Sequence, residues 1–295
     1  MSDIRLTGLT GKVAVVTGAG RMRSIGRPIA VMLAQAGCKV VLTGTGRDPR
    51  DYPQDEKDAG WRDIASVADE VRAAGSEALE VVSNVADPDA VASLVDATLQ
   101  AFGRVDFVVN NAGAARGSDR VPVVDLAVED WHKVMNVNLN GTFYMSRAFG
   151  KALIDQGAGG AIINISSIAG KALPPNTAAY AASKAGIQAL SASMAREVGR
   201  YNIRVNAICP GVIDTYRMDD IGRGDAWQAM LKMIPLGRPG GGEDIAAMVA
   251  MMCSDQGAWI TGQAYNVDGG HVVEQWARAP DGCLRCSLGM LDAVV

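Results

Sequence analysis

Short runs of aliphatic and β-branched residues recur along the chain, separated by polar, turn-rich stretches: KVAVVT (12–17), KVVLT (39–43), ALEVVS (78–83), VDFVVN (105–110), AIINIS (161–166), IRVNAI (203–208) and AYNV (264–267). Each is short and nearly continuous in its apolar character, which predicts seven strands buried on both faces. The stretches between them carry helical spacing. Together they predict an α/β fold: one doubly wound, seven-stranded parallel sheet flanked by helices, with right-handed crossovers. Such a sheet places its ligand crevice beyond the carboxyl ends of the strands. The segment 47–60, RDPRDYPQDEKDAG, is polar and rich in turn formers, and predicts a solvated surface excursion before a helix that starts near Trp61. No Pro/Ser-rich linker or internal repeat divides the chain, so residues 8–270 read as one domain.

Composition narrows the function classes. The net charge of -4 provides no field for nucleic acid or an anionic membrane. No apolar run reaches the roughly 18–20 residues that span a bilayer, and the N-terminal MSDIRLTGLT lacks a signal-peptide core, so a cytoplasmic protein is expected. Five cysteines without a regular framework fit reduced thiols, with Cys38, Cys209 and Cys253 as packing residues. Cys283 and Cys286 supply only two ligands where tetrahedral zinc needs four, and no metal site is expected. His132 and His271 join no Ser/Asp pair at hydrolase spacing, and G-x-S-x-G is missing.

The stretch after the first strand, TGAGRMRSIG from Thr17 to Gly26, opens a helix, so its N–H groups and the positive end of the helix dipole face the crevice. Gly18, Gly20 and Gly26 let backbone approach a pyrophosphate closely, and the Ser24 hydroxyl offers a further donor. The candidate cofactor contacts here are Gly18, Gly20, Arg21, Arg23, Ser24, Ile25 and Gly26.

Further motifs follow in order: NNAG (110–113), NVNLNG (136–141), SS (166–167), YAASK (180–184), PG (210–211) and VDGG (267–270). This series resembles the short-chain dehydrogenase/reductase family over almost the whole chain up to Gly270, which implies a Rossmann-type domain and hydride transfer between a nicotinamide dinucleotide and a ketone or secondary alcohol. The resemblance implies Ser167, Tyr180 and Lys184 as catalytic residues, with Asn138 anchoring a water chain to Lys184. The spacing agrees independently: Tyr180 and Lys184 are four apart on one helix face, where an ammonium favours the phenolate. The family also implies cofactor contacts at Asn110, Asn111, Ala112 and Gly113, at Pro210, Gly211, Val212 and Thr215, and at Asn84 and Val85. Asn84 stands where many relatives carry an acid, and its side-chain oxygen is expected to accept the adenine amino group.

The second strand runs into GTGR, so Gly44 occupies the place of the acid that would hold both ribose hydroxyls of NAD(H). With Arg47 nearby and Arg21 and Arg23 on the loop, a 2′-phosphate is the better match, and NADP(H) is expected over NAD(H). The loop is two residues longer than T-G-x-x-x-G-x-G, and its length and RSI sequence resemble enoyl-acyl-carrier reductases, a divergent branch that spaces its tyrosine and lysine six or more apart. The spacing of four here favours ketone/alcohol chemistry. The rivals are an enoyl-thioester reductase and a non-catalytic dinucleotide sensor. The partner expected is a small carbonyl or alcohol compound, such as a 3-oxoacyl or cyclic ketone, in a pocket formed by 114–120, 168–177 and a lid at 215–240. The helices at 128–157 and 177–200 are rich in small and apolar residues, and relatives use the equivalent pair to build a homotetramer. The tail, 271–295, reads as a disordered end, a subunit contact or an expression remnant.

Overall fold

The computed structural model describes residues 6–272, 276–278 and 284–286. Strands β1 (Val13–Thr17), β2 (Lys39–Gly44), β3 (Ala78–Val82), β4 (Phe107–Asn110), β5 (Gly160–Ile165), β6 (Ile203–Pro210) and β7 (Ala264–Val267) form one sheet in the order β3-β2-β1-β4-β5-β6-β7. Every neighbouring pair is parallel. All seven expected strands are present. The sixth runs further than its apolar stretch because Cys209 and Pro210 continue the ladder beside Asn266 and Val267.

The inner strands β1, β2, β4, β5 and β6 are almost wholly buried because two cores, one on each face, are reached by alternate residues, whereas the edge strands β3 and β7 are only partly buried, against the expectation of burial on both faces. In β1, Ala14 and Val16 enter one core with Ile29, Leu33 and Val249, while Val13 and Val15 enter the other with Leu94, Phe149 and Leu153. Helices α1 (Gly26–Gln35), α2 (Gln54–Asp58), α3 (Ile64–Ala73), α4 (Pro88–Phe102), α5 (Val128–Met135), α6 (Gly141–Gln156), α7 (Ala169–Ala172), α8 (Ala178–Val198), α9 (Asp225–Lys232) and α10 (Gly242–Cys253) connect the strands. Helix α1 packs beside α3 and α10, and α6 packs between α4 and α8. Local sequence sets the limits of α4: Asp87 accepts from the Asp89 and Ala90 N–H groups, Pro88 stands in the first turn, and Gly103 closes the helix at φ 69°. Cys38, Cys209 and Cys253 are free and buried, and burial pushes the Cys38 thiol up to about 12. No helix among the described residues is long and apolar enough to cross a membrane.

Most of the segment after β2 is solvent-exposed, as expected of a surface excursion, but a 3-10 turn (Pro49–Asp51) and α2 fold part of it back onto the loop after β1, and helix α3 begins at Ile64. Tyr52 and Glu56 are buried. The Glu56 carboxylate accepts from Met22 N (2.9 Å) and pairs with Arg47 (2.8 Å), while Trp61 Nε1 donates to Gly20 O (2.6 Å). A charged side chain reads as solvated in sequence, but here each buried charge has a partner brought by the fold. In the tail, Trp276–Arg278 and Leu284–Cys286 form a separate antiparallel pair and do not extend the main sheet. Cys283 lies outside the described residues, so the C-x-x-C is not placed.

Candidate active site

The carboxyl ends of β1, β4, β5 and β6 deliver the motif residues to one edge of the sheet. Gly18, at φ 65°, and Gly26 let the loop after β1 nest on the loop after β4: a Cβ at Gly18 would lie 2.8 Å from Ala112 Cα, and one at Gly26 would lie 2.7 Å from Asn111 Nδ2. Asn111 Nδ2 donates to Thr17 O and Gly18 O, and Thr17 Oγ1 accepts from Asn111 N and Ala112 N. The side chain of Asn111 therefore braces the loop instead of facing a ligand. Asn110 turns inward, its Nδ2 donating to Ser146 Oγ and Asn164 Oδ1. Ala112 and Gly113 follow in the same loop, with Asn138 Oδ1 3.4 Å from where a Gly113 Cβ would stand.

Three other loop expectations are corrected. The Ser24 hydroxyl donates to Arg21 O (2.9 Å) and accepts from Arg27 N (3.2 Å), so it fastens the long loop and caps the first helical turn. Arg23 does not project toward a phosphate; it forms a bidentate pair with Asp219 (2.6 and 2.9 Å), and its carbonyl accepts from Tyr216 N, which ties the loop to the lid. Arg47 is held by Glu56 and by Asp63 (3.4 Å). Asp63 also alters the picture at Gly44: its Oδ1 lies 3.9 Å from where a Gly44 Cβ would stand and excludes a Cβ at Gly20. An acid thus reaches this region from the inserted segment, neutralised by Arg47. The remaining arginine is Arg21, whose Nη1 is buried without a hydrogen-bond partner while its guanidinium lies 4.2 Å from the Tyr216 ring centroid. The N–H groups of Ile25 and Gly26 donate to no protein acceptor among the described residues. A half-buried guanidinium with one unpaired Nη1, two free N–H groups and a helix N-terminus form a cradle of donors suited to the phosphates of a dinucleotide.

Asn84 is exposed and its Oδ1 accepts from Ala86 N (3.1 Å), a local turn in place of the expected ligand contact. Val85 is buried against Gly141. On the far side, Gly211 comes so close to Asp268 that a Cβ would lie 2.7 Å from its Cα. Pro210 O accepts from Ile168 N, Val212 O accepts from Gly240 N, and Thr215 begins the lid turn Tyr216–Ile221.

Ser167, Tyr180 and Lys184 converge at the end of β5. Ser167 stands beside the Tyr180 phenol and its hydroxyl accepts from Ala169 N (3.1 Å), and Lys184 Nζ lies 5.8 Å from the Tyr180 ring centroid while donating to Ile165 O (2.7 Å). Burial alone would push the phenol up, but Arg217, Lys184, Ser167 and Arg120 outweigh it and hold Tyr180 below its ordinary value. Burial also pushes Lys184 down, against the opposing effect of Tyr180. Asn138 sits in a π-helical turn (Asn136–Asn140) between α5 and α6, not in regular helix. Its side chain makes two hydrogen bonds, Oδ1 accepting from Ala114 N (2.8 Å) and Nδ2 donating to Ser183 Oγ (3.0 Å), so it joins the loop after β4 to α8. Arg120 and Arg217 were not singled out in the sequence, although both fall in segments expected to form the pocket.

A phenol beside an ammonium and a serine hydroxyl can protonate or deprotonate an oxygen held between them, next to a cradle for a dinucleotide. Comparison with known proteins agrees. The family model described as enoyl-(acyl carrier protein) reductase matches residues 18–271. A 3-oxoacyl-[acyl-carrier-protein] reductase of Synechocystis sp. is 38% identical over 91% of this chain and 100% of the relative. One of Thermotoga maritima is 34% identical over 90% of this chain and 99% of the relative. The crystal structure of a short-chain type dehydrogenase/reductase from Mycobacterium marinum superposes with a TM-score of 0.78 at 30% identity, covering 89% of this chain and 96% of that one. The chain belongs to the short-chain dehydrogenase/reductase family, oxidoreductases that use a nicotinamide dinucleotide to interconvert C=O and CH–OH groups.

Proposed function

We propose that the domain formed by residues 8–270 uses NADP(H) in preference to NAD(H), with Ser167, Tyr180, Lys184 and Asn138 as its catalytic set. The convergence of Ser167, Tyr180 and Lys184 on one point carries this reading. Nicotinamide, when bound, supplies or takes the hydride. Ser167 and the Tyr180 hydroxyl hold the substrate oxygen, Tyr180 passes its proton to that oxygen as the carbonyl carbon gains the hydride, and Lys184 stabilises the phenolate left behind. The net reaction is ketone plus NADPH plus a proton giving alcohol plus NADP⁺. Asn138 holds the loop after β4 against α8 and so keeps the tyrosine in place. The Tyr180–Lys184 spacing of four favours a carbonyl over an enoyl thioester.

The 2′-phosphate reader in this proposal is Arg21, since Arg23 and Arg47 are engaged elsewhere. Purified protein, followed by absorbance of the reduced cofactor on a ketone panel, should show a higher kcat/KM with NADPH than with NADH. Arg21→Ala should narrow that ratio by about 10-fold, the scale of losing charge-assisted hydrogen bonds. A higher kcat/KM with NADH would overturn the cofactor assignment, and turnover of enoyl thioesters alone would overturn the ketone assignment.

The same reading places the protein in the cytoplasm as a homotetramer. Val128 on α5 and Phe143 on α6 are large apolar side chains left exposed, at 62% and 44%, which supports a subunit contact on these helices. Light scattering at micromolar concentration should return the mass of four chains; a monomer mass would refute it.

A further inference from the structure

Three arginines surround the Tyr180 ring or the mouth above it. The guanidinium carbons of Arg120 and Arg217 lie 4.4 and 4.9 Å from the ring centroid, Arg120 from the loop after β4 and Arg217 from the lid. Arg217 reaches across the crevice and donates to Ala114 O (2.6 Å). Arg116 stands on the same loop as Arg120. The acids nearby do not balance them. Arg116 pairs with Asp220 (3.1 Å), and Asp119 Oδ2 lies 3.5 Å from Arg120 Nε, which is buried and has no hydrogen-bond partner. Arg217 has no acidic partner among the described residues, and Lys184 adds a further positive charge. Holding two guanidinium groups half-buried beside a lysine is costly unless an anion neutralises them.

We propose that the substrate is a small oxo or hydroxy acid whose carboxylate is bound by Arg217 and Arg120 while its carbonyl or hydroxyl oxygen lies on Tyr180. This rests on the catalytic reading of Tyr180 given above and adds the substrate class. The guanidinium groups lie so close to the ring that the carboxylate stands about two or three carbons from the reacting carbon. A 3-oxoacyl thioester is neutral at that distance and leaves Arg217 without a counter-charge and Arg120 with Asp119 alone. The planar fork of arginine suits a carboxylate bidentately, and two forks from opposite walls fix the orientation of the acid relative to the hydride donor.

The test compares 3-oxobutanoate and 4-oxopentanoate with their methyl esters, using NADPH and NADH. Wild-type protein should favour the acid of each pair by about 10-fold or more in kcat/KM. Arg217→Gln should reduce that acid-to-ester ratio by about 10-fold, chiefly through KM for the acid, and Arg217→Lys, which keeps the charge but loses the planar fork, should reduce it by a smaller factor, about 3-fold. Equal turnover of acid and ester by wild-type protein would overturn the substrate class while leaving the ketone reading intact. A fall of acid and ester alike in Arg217→Gln, with the ratio unchanged, would mean that Arg217 acts on Tyr180 rather than on a carboxylate, and would also overturn it. Cofactor oxidation with neither acid nor ester, nor with any ketone of the panel, would overturn the ketone reading itself and this inference with it.

Discussion

Tyr180→Phe should lower kcat by about 10²-fold or more, the contribution of a positioned acid/base, while thermal stability and cofactor binding stay close to wild type. The substitution removes one hydroxyl beside Ser167 and retains the ring against which Arg120 and Arg217 lie. The pH dependence carries a second signature. Alcohol oxidation needs the phenolate, so its rate should rise with pH and level off below the ordinary tyrosine value, because Arg217, Lys184, Ser167 and Arg120 together outweigh the opposing effect of burial. Ketone reduction needs the phenol and should fall over the same range. A Phe variant with wild-type turnover, or an oxidation profile that keeps rising past pH 10, would remove Tyr180 from its proposed role.

Glu56→Ala should be the most destabilising of the single changes considered, by about 3–5 kcal/mol, the scale of leaving one member of a buried ion pair alone. Glu56 is 1% exposed, pairs with Arg47 and accepts from Met22 N on the long loop after β1. Its loss strands a cation and a backbone donor together. Because the same carboxylate braces the loop, the KM for the dinucleotide should rise as well. Denaturant unfolding and cofactor titration measure the two effects separately. Glu56→Gln, which retains an acceptor for Met22 N, should recover part of both. An unfolding midpoint for Glu56→Ala equal to wild type would show that Arg47 and Asp63 hold the segment without it.

The strands could be read from sequence because burial on both faces demands an unbroken apolar run, and few other local structures do. Ser167, Tyr180 and Lys184 were read through the family resemblance, to which the spacing of four added only that the tyrosine and lysine share one helix face. The fate of the asparagines was not accessible. Asn84, Asn110 and Asn111 sit in the expected motifs, but whether an amide faces a ligand or a neighbouring backbone depends on which segment lies beside it, and their actual partners include Ser146, Asn164 and Thr17. The same holds for charge. Nothing local distinguishes Arg21, which is free, from Arg23, which is tied to the lid. Polar residues in 47–63 read as solvated because their counter-charges come from other elements or from across a turn. Asp63 is the sharpest case, a residue at φ 54° and ψ -132° whose carboxylate accepts from Arg47 N (3.3 Å). A backbone so unusual for a non-glycine residue persists only where its surroundings hold it.

The strand order has a consequence for how the protein comes into being. The two strands that meet at the centre of the sheet, β1 and β4, are separated in the chain by β2, β3 and the helices between them, and the bonds that join their loops, such as Thr17 to Asn111, span 94 residues. Closing so long a loop yields no contact until late in the search, so formation of the central ladder is the slow event, while the helices can form locally and early. The crevice residues come from the ends of β1, β4, β5 and β6, so the dinucleotide cradle and the Ser167, Tyr180 and Lys184 set lie in opposite halves of the chain and neither half holds both. Helical signal is therefore expected to precede catalytic competence during refolding, which far-UV circular dichroism followed beside the recovery of activity would check.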